Sequence, residues 1–100
     1  MVGDRDTKST NVERQSRPRR SERAHWRELD EHVVILDLDS SVYSTLNPVG
    51  SLIWNAADGT KTVEEIAVAV VDAFDVDEDT ARRDTIHFVE AMLAEGLFEV

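Results

Sequence analysis

A strand that runs directly into a capped helix constrains this chain more than any other feature. Residues 42–46, Val-Tyr-Ser-Thr-Leu, suit an extended strand, and Asn47-Pro48 follow at once. Asn47 offers an N-cap oxygen, and Pro48 takes the first helical position, where a missing N–H costs no hydrogen bond. Val49, Leu52, Ile53 and Ala56 then recur at helical spacing, with Trp54 beside them, and Asp58-Gly59 stops the run. The backbone must change from extended to helical within two residues, which fixes strand and helix to one another.

The remaining elements arrange themselves around that junction. Residues 32–38 are rich in aliphatic and β-branched side chains (Val33, Val34, Ile35, Leu36, Leu38), and Asp39-Ser40-Ser41 makes a turn into residues 42–46, so the two strands form a hairpin. A lone hairpin is marginal, and a short segment at 26–29 supplies a third, edge strand. Thr62 with Glu65 three residues on is a capping box that opens a second helix, whose stripe is Val63, Ile66, Ala67, Val70, Val71 and Phe74. Asp77 or Asp79 caps a third helix, with Ala81, Thr85, Phe88, Val89, Met92 and Leu93 on its core side and Gly96 at its end. Leu97, Phe98 and Val100 follow as an apolar tail. The expected fold class is α+β and winged helix-turn-helix-like: a small three-stranded antiparallel sheet followed by a three-helix bundle.

Charge divides the chain in two. Residues 1–25 carry a net charge of +3 and almost nothing apolar, so they read as a disordered basic N-terminal arm, with residues 26–100 as the folded domain. Arg17-Pro18-Arg19-Arg20 could hold an acidic partner or RNA, against the plainer reading of a solubilising tail. Residues 26–100 carry a net charge of −13, which repels a phosphate backbone, so any nucleic-acid role would fall to the arm. The chain has no cysteine, so disulfides and thiolate metal sites are excluded. It has no apolar run of the roughly 18 residues that a membrane helix needs, and its N-terminus does not resemble a signal peptide. The expected location is the cytoplasm.

Groups able to do chemistry are scarce. Asp75, Asp77 and Asp79 imitate the start of a calcium loop, but Thr80 stands where glycine is required and Ile86 where glutamate is required. His25, His32 and His87 have no metal-ligand spacing. Glu64-Glu65 and Asp37/Asp39 occupy a helix first turn and a strand-to-turn junction, where carboxylates serve capping. The expectation is a protein that is not an enzyme and uses no cofactor or metal. Trp54 reads as core; for Trp26, packing and partner contact are both open.

The second strand of the hairpin is the candidate site. Alternation puts Val42, Ser44 and Leu46 on one face and Tyr43 and Thr45 on the other. A polar, glycine-free strand with free ladder positions can accept an extended peptide by strand addition. The third helix, with Arg82, Arg83, Ile86, His87 and Glu90 off its core stripe, is the expected second wall. Arg82 and Arg83 could hold an acidic side chain of that peptide, or pair with neighbours such as Glu78 and Asp79.

The ordered set Leu36-x-Leu38, Tyr43-Ser44-Thr45-Leu46-Asn47, Gly50, Ile53-Trp54, Asp58-Gly59, Thr62-Val63, Glu65-Ile66, Asp84, Phe88-Val89, Met92 and Gly96-Leu97 resembles the PqqD-like family across residues 30–100. These are the recognition elements of ribosomally synthesised and post-translationally modified peptide (RiPP) biosynthesis. The resemblance implies leader-peptide binding between the third strand and the third helix, with delivery of the precursor to a maturation enzyme. The pattern looks most like the stand-alone proteins of lasso-peptide clusters, which partner a leader peptidase; a peptide chaperone for a radical-SAM enzyme is the alternative. A winged-helix nucleic-acid binder is the reading from another class, and no membrane partner is expected. The family offers no role for the basic arm.

Overall fold

The computed structural model describes residues 12–100. In chain order the elements are β1 (Arg19–Arg20), β2 (His25–Leu29), β3 (His32–Asp37), β4 (Val42–Thr45), α1 (Pro48–Ala56), α2 (Val63–Phe74), α3 (Glu78–Ala94) and β5 (Phe98–Glu99). β2, β3 and β4 form an antiparallel sheet in that order, and β1 pairs antiparallel with β5 in a second, two-stranded sheet. The expected α+β architecture of three helices and a three-stranded sheet is therefore present, with one small sheet added.

Each helix starts where its capping residues dictate. The Asn47 side chain accepts from Gly50 N–H at 2.7 Å, Thr62 and Glu65 form the reciprocal capping box, and Asp77 rather than Asp79 caps α3. Asp75 adopts the left-handed conformation at the end of α2, and Asp77 accepts from Thr80. Those two aspartates of the calcium-like motif thus serve helix ends. The turn between β2 and β3 uses Asp30 and Glu31, both at positive φ, as a tight two-residue hairpin requires.

One face of the three-stranded sheet lies on the helices. Val33 and Ile35 are buried on it, together with Ile53, Trp54, Ile66, Val70, Ala81, Val89 and Phe98. Trp54 is fully buried and meets Phe98 at 5.2 Å and Trp26 edge-on at 5.7 Å. Trp26 therefore serves packing, with the Arg20 guanidinium 5.1 Å above its ring. The junction between hairpin and helix is closed by Ser51 of α1. Its hydroxyl accepts from Val33 N–H at 2.9 Å and donates to Leu46 C=O at 3.3 Å, while Leu46 N–H donates directly to Val33 C=O at 2.8 Å. The sequence pattern did not single out this serine.

The boundary expected at residue 25 is corrected by the structure. Residues 12–25 are packed on the domain, with Pro18 and Ser21 buried; residues 1–11 lie outside the described residues. Val12, Pro18 and Ala24 are the few apolar residues that pack there, too few for composition to reveal the order of the segment. The segment is also held by backbone groups that other elements leave open. Ser16 and Arg14 carbonyls accept from Val63 and Glu64 N–H, among the first donors of α2, and Pro18 accepts from Gly59. Arg20 donates to the Trp54 and Asn55 carbonyls at 2.7 and 3.1 Å, at the end of a helix that has no basic residue in its own last turn. The apolar tail is likewise only partly as expected: Phe98 is core, whereas Val100 is exposed.

Three outcomes follow from these contacts. Arg20→Ala should lower stability in urea unfolding by about 1–2 kcal/mol, with Arg20→Lys recovering only part, because an ammonium can reach the carbonyls but lacks the planar group that stacks on Trp26. Ser51→Ala should cost about 1–3 kcal/mol, since it leaves Val33 N–H and Leu46 C=O without their relay. The Asp58 carboxylate accepts from the Thr60 hydroxyl at 2.6 Å and from Thr60 N–H at 2.9 Å and lies 3.5 Å from Lys61. These groups lower its pKa from the usual 3.8 to about 2. A lowered folded-state pKa stabilises above the unfolded value and is lost as pH falls. Acid titration of stability between pH 3.8 and about 2 should therefore be shallower in Asp58→Asn.

Candidate functional site

β4 is the last strand of its sheet, and all of its residues are exposed. Its register with β3 pairs Asp37 with Val42, Ile35 with Ser44 and Leu36 with Tyr43. The direct bond from Leu46 to Val33 makes that pair a hydrogen-bonded one. In an antiparallel ladder bonded and non-bonded pairs alternate, so Val42, Ser44 and Leu46 turn their backbone groups toward β3. Tyr43 and Thr45 turn theirs to the open edge. The unpaired ladder thus consists of the N–H and C=O groups of these two residues.

Side chains follow the complementary alternation. Val42, Ser44 and Leu46 line a groove of about 770 Å³ that lies between the sheet and the C-terminal half of α3. Ile35, Met92 and Leu97 supply further apolar wall, and Leu38 and Val42 stand exposed at its rim. Tyr43 and Thr45 put their side chains on the other face of the sheet, where Tyr43 sits across from Leu36 and is 68% exposed. The expected strand therefore borders the groove, with its five residues split between groove lining and open edge.

The α3 wall differs from the expected one. Phe88, Met92 and Glu95 recur at i, i+4 and i+7 on one flank. Met92 and Glu95 line the groove, and a Cβ on Gly50 would lie 3.1 Å from the Phe88 ring. This close approach explains a glycine inside α1. Arg82, Ile86 and Glu90 run along the opposite flank, toward α2. There Arg82 bonds to both Glu64 carboxylate oxygens at 3.2 Å and to Asp79 at 3.3 Å. The pairing raises the Arg82 pKa and lowers that of Glu64, through their mutual hydrogen bonds first. Arg83 and His87 lie with Ile86 in a separate shallow depression of about 320 Å³. None of Arg82, Arg83, Ile86, His87 and Glu90 lines the groove. The sequence identified which α3 residues lay off the core, but a single helical stripe has two borders. Only the packing of α1 and α2 shows which one faces β4.

The groove residues missed in the sequence had a recoverable signal. Ile35 and Asp37 share the face of Val42 and Ser44 by register, and Gly50 within a helical run marks a close neighbour. Among the described residues, no cluster of three or more His, Asp or Glu has a metal-binding arrangement, and no helix is long and apolar enough to cross a membrane.

Comparison with known proteins gives the lineage. The family model for coenzyme PQQ synthesis protein D (PqqD) matches residues 32–97. TbiB1, solved in complex with the TbiA(beta) leader peptide, is 33% identical, with 81% of this chain and 94% of that chain covered and a TM-score of 0.70. A lasso peptide synthetase B1, solved with its leader peptide, is 21% identical over 85% of this chain and 100% of its own, at a TM-score of 0.71. The PqqD truncation of Methylobacterium extorquens PqqCD, a stand-alone RiPP recognition element, is 18% identical over 91% and 97% of the two chains, at a TM-score of 0.72. These last two show likeness of fold. No curated protein shows significant sequence similarity to the chain. With the model matched over most of the domain and a 33%-identical relative covering nearly all of it, the chain belongs to the PqqD family and has the RiPP recognition element fold.

Proposed function

We propose that this protein captures the leader of a ribosomally made precursor peptide as an added strand on β4 and presents it to a maturation enzyme. The observation that carries this reading is the open edge of β4, with the Tyr43 and Thr45 backbone groups unpaired beside an apolar groove. Main-chain bonds to these groups give affinity, and alternate side chains of the peptide enter the groove and give selectivity. The 33% identity to TbiB1, which was solved holding a leader peptide, supports the same assignment. The domain acts as a binding module: the groove contains no nucleophile paired with a base, and its polar residues are carboxylates, Ser40, Ser44, Arg23 and His25. The step belongs to the cytoplasm, where precursors are synthesised.

For the enzyme served, a lasso-peptide leader peptidase is the first reading, since the most identical of the three relatives described above is TbiB1. Service to a radical-SAM enzyme is the second, favoured by the match to the PqqD model. Co-purification with each enzyme class encoded near the gene separates the two. A nucleic-acid role fits poorly, because Asp79, Asp84 and Glu90 accompany Arg83 and His87 on the outward side of α3.

Leader peptides of precursors encoded near the gene should bind with a Kd of about 1 µM or tighter by calorimetry. Thr45→Pro removes an outward N–H without touching a β3–β4 bond, a position where an edge strand tolerates proline. It should weaken binding about tenfold, as the loss of one to two hydrogen bonds implies. Ser44→Lys, which puts a charge into the groove, should cost about 2 kcal/mol. Ile86→Asp and Arg83→Glu should leave affinity unchanged. The reverse pattern, with α3 outer-flank variants losing affinity and β4 variants keeping it, would move the site to the other side of α3.

A further inference from the structure

The groove is uneven in charge, and the unevenness says what its occupant must carry. Where the turn after β3 meets the C-terminal end of α3, the groove is lined by Asp37, Asp39 and Glu95. Among the described residues, none of the three pairs with a basic side chain. α3 ends there without a basic residue in its last turn, so the negative end of its dipole adds to the potential. Arg23 and His25 also line the groove, but from the β2 side. An added strand on β4 would run three strand spacings from β2, about 14 Å at 4.7–4.9 Å each. The backbones of β2 and the added strand are thus on opposite sides of the sheet's width. Asp39, in the turn that opens β4, and Glu95, across the groove on α3, flank the path of the added strand directly.

The same end is also apolar at its rim. Leu38 and Val42 are 59% and 53% exposed, and Met92 lies beyond them in the lining. A small cation would leave this surface bare. A long side chain with an aliphatic stem and a charged head covers it and still reaches the carboxylates.

We infer that the peptide segment held by the groove carries a lysine or arginine at the end beside the β3–β4 turn, its stem over Leu38 and Val42 and its charge between Asp39 and Glu95. This rests on the strand-addition reading above and makes it specific: the protein selects basic leader segments. It also gives a use to an acidic surface that the net charge of −10 alone leaves general.

The test selects a random-peptide phage library on the full 100-residue chain and keeps clones that lose binding to Thr45→Pro. Those clones should be enriched in Lys or Arg at one terminal side of their shared apolar motif. Their synthetic peptides should bind roughly fivefold more weakly in about 0.5 M than in about 0.05 M NaCl. Asp39→Asn/Glu95→Gln, which keeps size and hydrogen-bonding capacity, should weaken them by about fivefold. Asp39→Lys/Glu95→Lys should turn the enrichment to Asp and Glu, with circular dichroism verifying the fold of each variant. Edge-dependent clones without basic enrichment, or affinities indifferent to the neutral double variant, would overturn the inference and leave strand addition standing. Failure to recover any clone sensitive to Thr45→Pro would overturn both.

Discussion

Everything at the site depends on how α1 is fastened to the hairpin. Ser51 takes the place of one ladder bond, accepting from Val33 and donating to Leu46, and two and three residues on Ile53 and Trp54 enter the core. The sheet is thereby held at one end by a buried hydroxyl and across its inner face by an aromatic cluster of Trp54, Trp26 and Phe98. With β3 fixed on both counts, β4 stands out as an overhang. Its inner face extends past α1 and looks onto the end of α3, which is why a groove exists there at all.

An open edge strand is ordinarily a hazard, because its free N–H and C=O groups invite pairing with another chain. This protein leaves the β4 edge uncovered yet surrounds it with carboxylates, Asp37, Asp39 and Glu95. Like charges on a second copy discourage self-pairing, whereas the strand addition proposed above would admit an extended peptide of opposite charge. The device that limits aggregation and the device that sets selectivity are then the same residues. The N-terminal segment serves the opposite end of the molecule, where its carbonyls and Arg20 satisfy backbone groups at the start of α2 and the end of α1.

Much of this was legible in residue order. Capping motifs are local, so Asn47, Thr62 and Asp77 marked their helices without tertiary information. Alternation in residues 42–46 separated Val42, Ser44 and Leu46 from Tyr43 and Thr45, and the register left that division unchanged. The segment 12–25 was not legible, because its order depends on acceptors and donors presented by residues more than thirty positions away. Nor was the flank of α3 that faces the groove: Ile86 and Glu90 occupy a border of the core stripe as plausibly as Met92 and Glu95 do.

The sequence by itself determined the elements, their caps, the family and the alternation of the strand that borders the groove, since each follows from contacts within a few residues or from an ordered pattern. Tertiary structure decided which edge of the sheet borders the groove, which flank of α3 faces it and which charges gather around it. Those outcomes depend on how separate elements pack, and packing brings together Asp39, Ser44 and Glu95 by a geometry that no local spacing encodes.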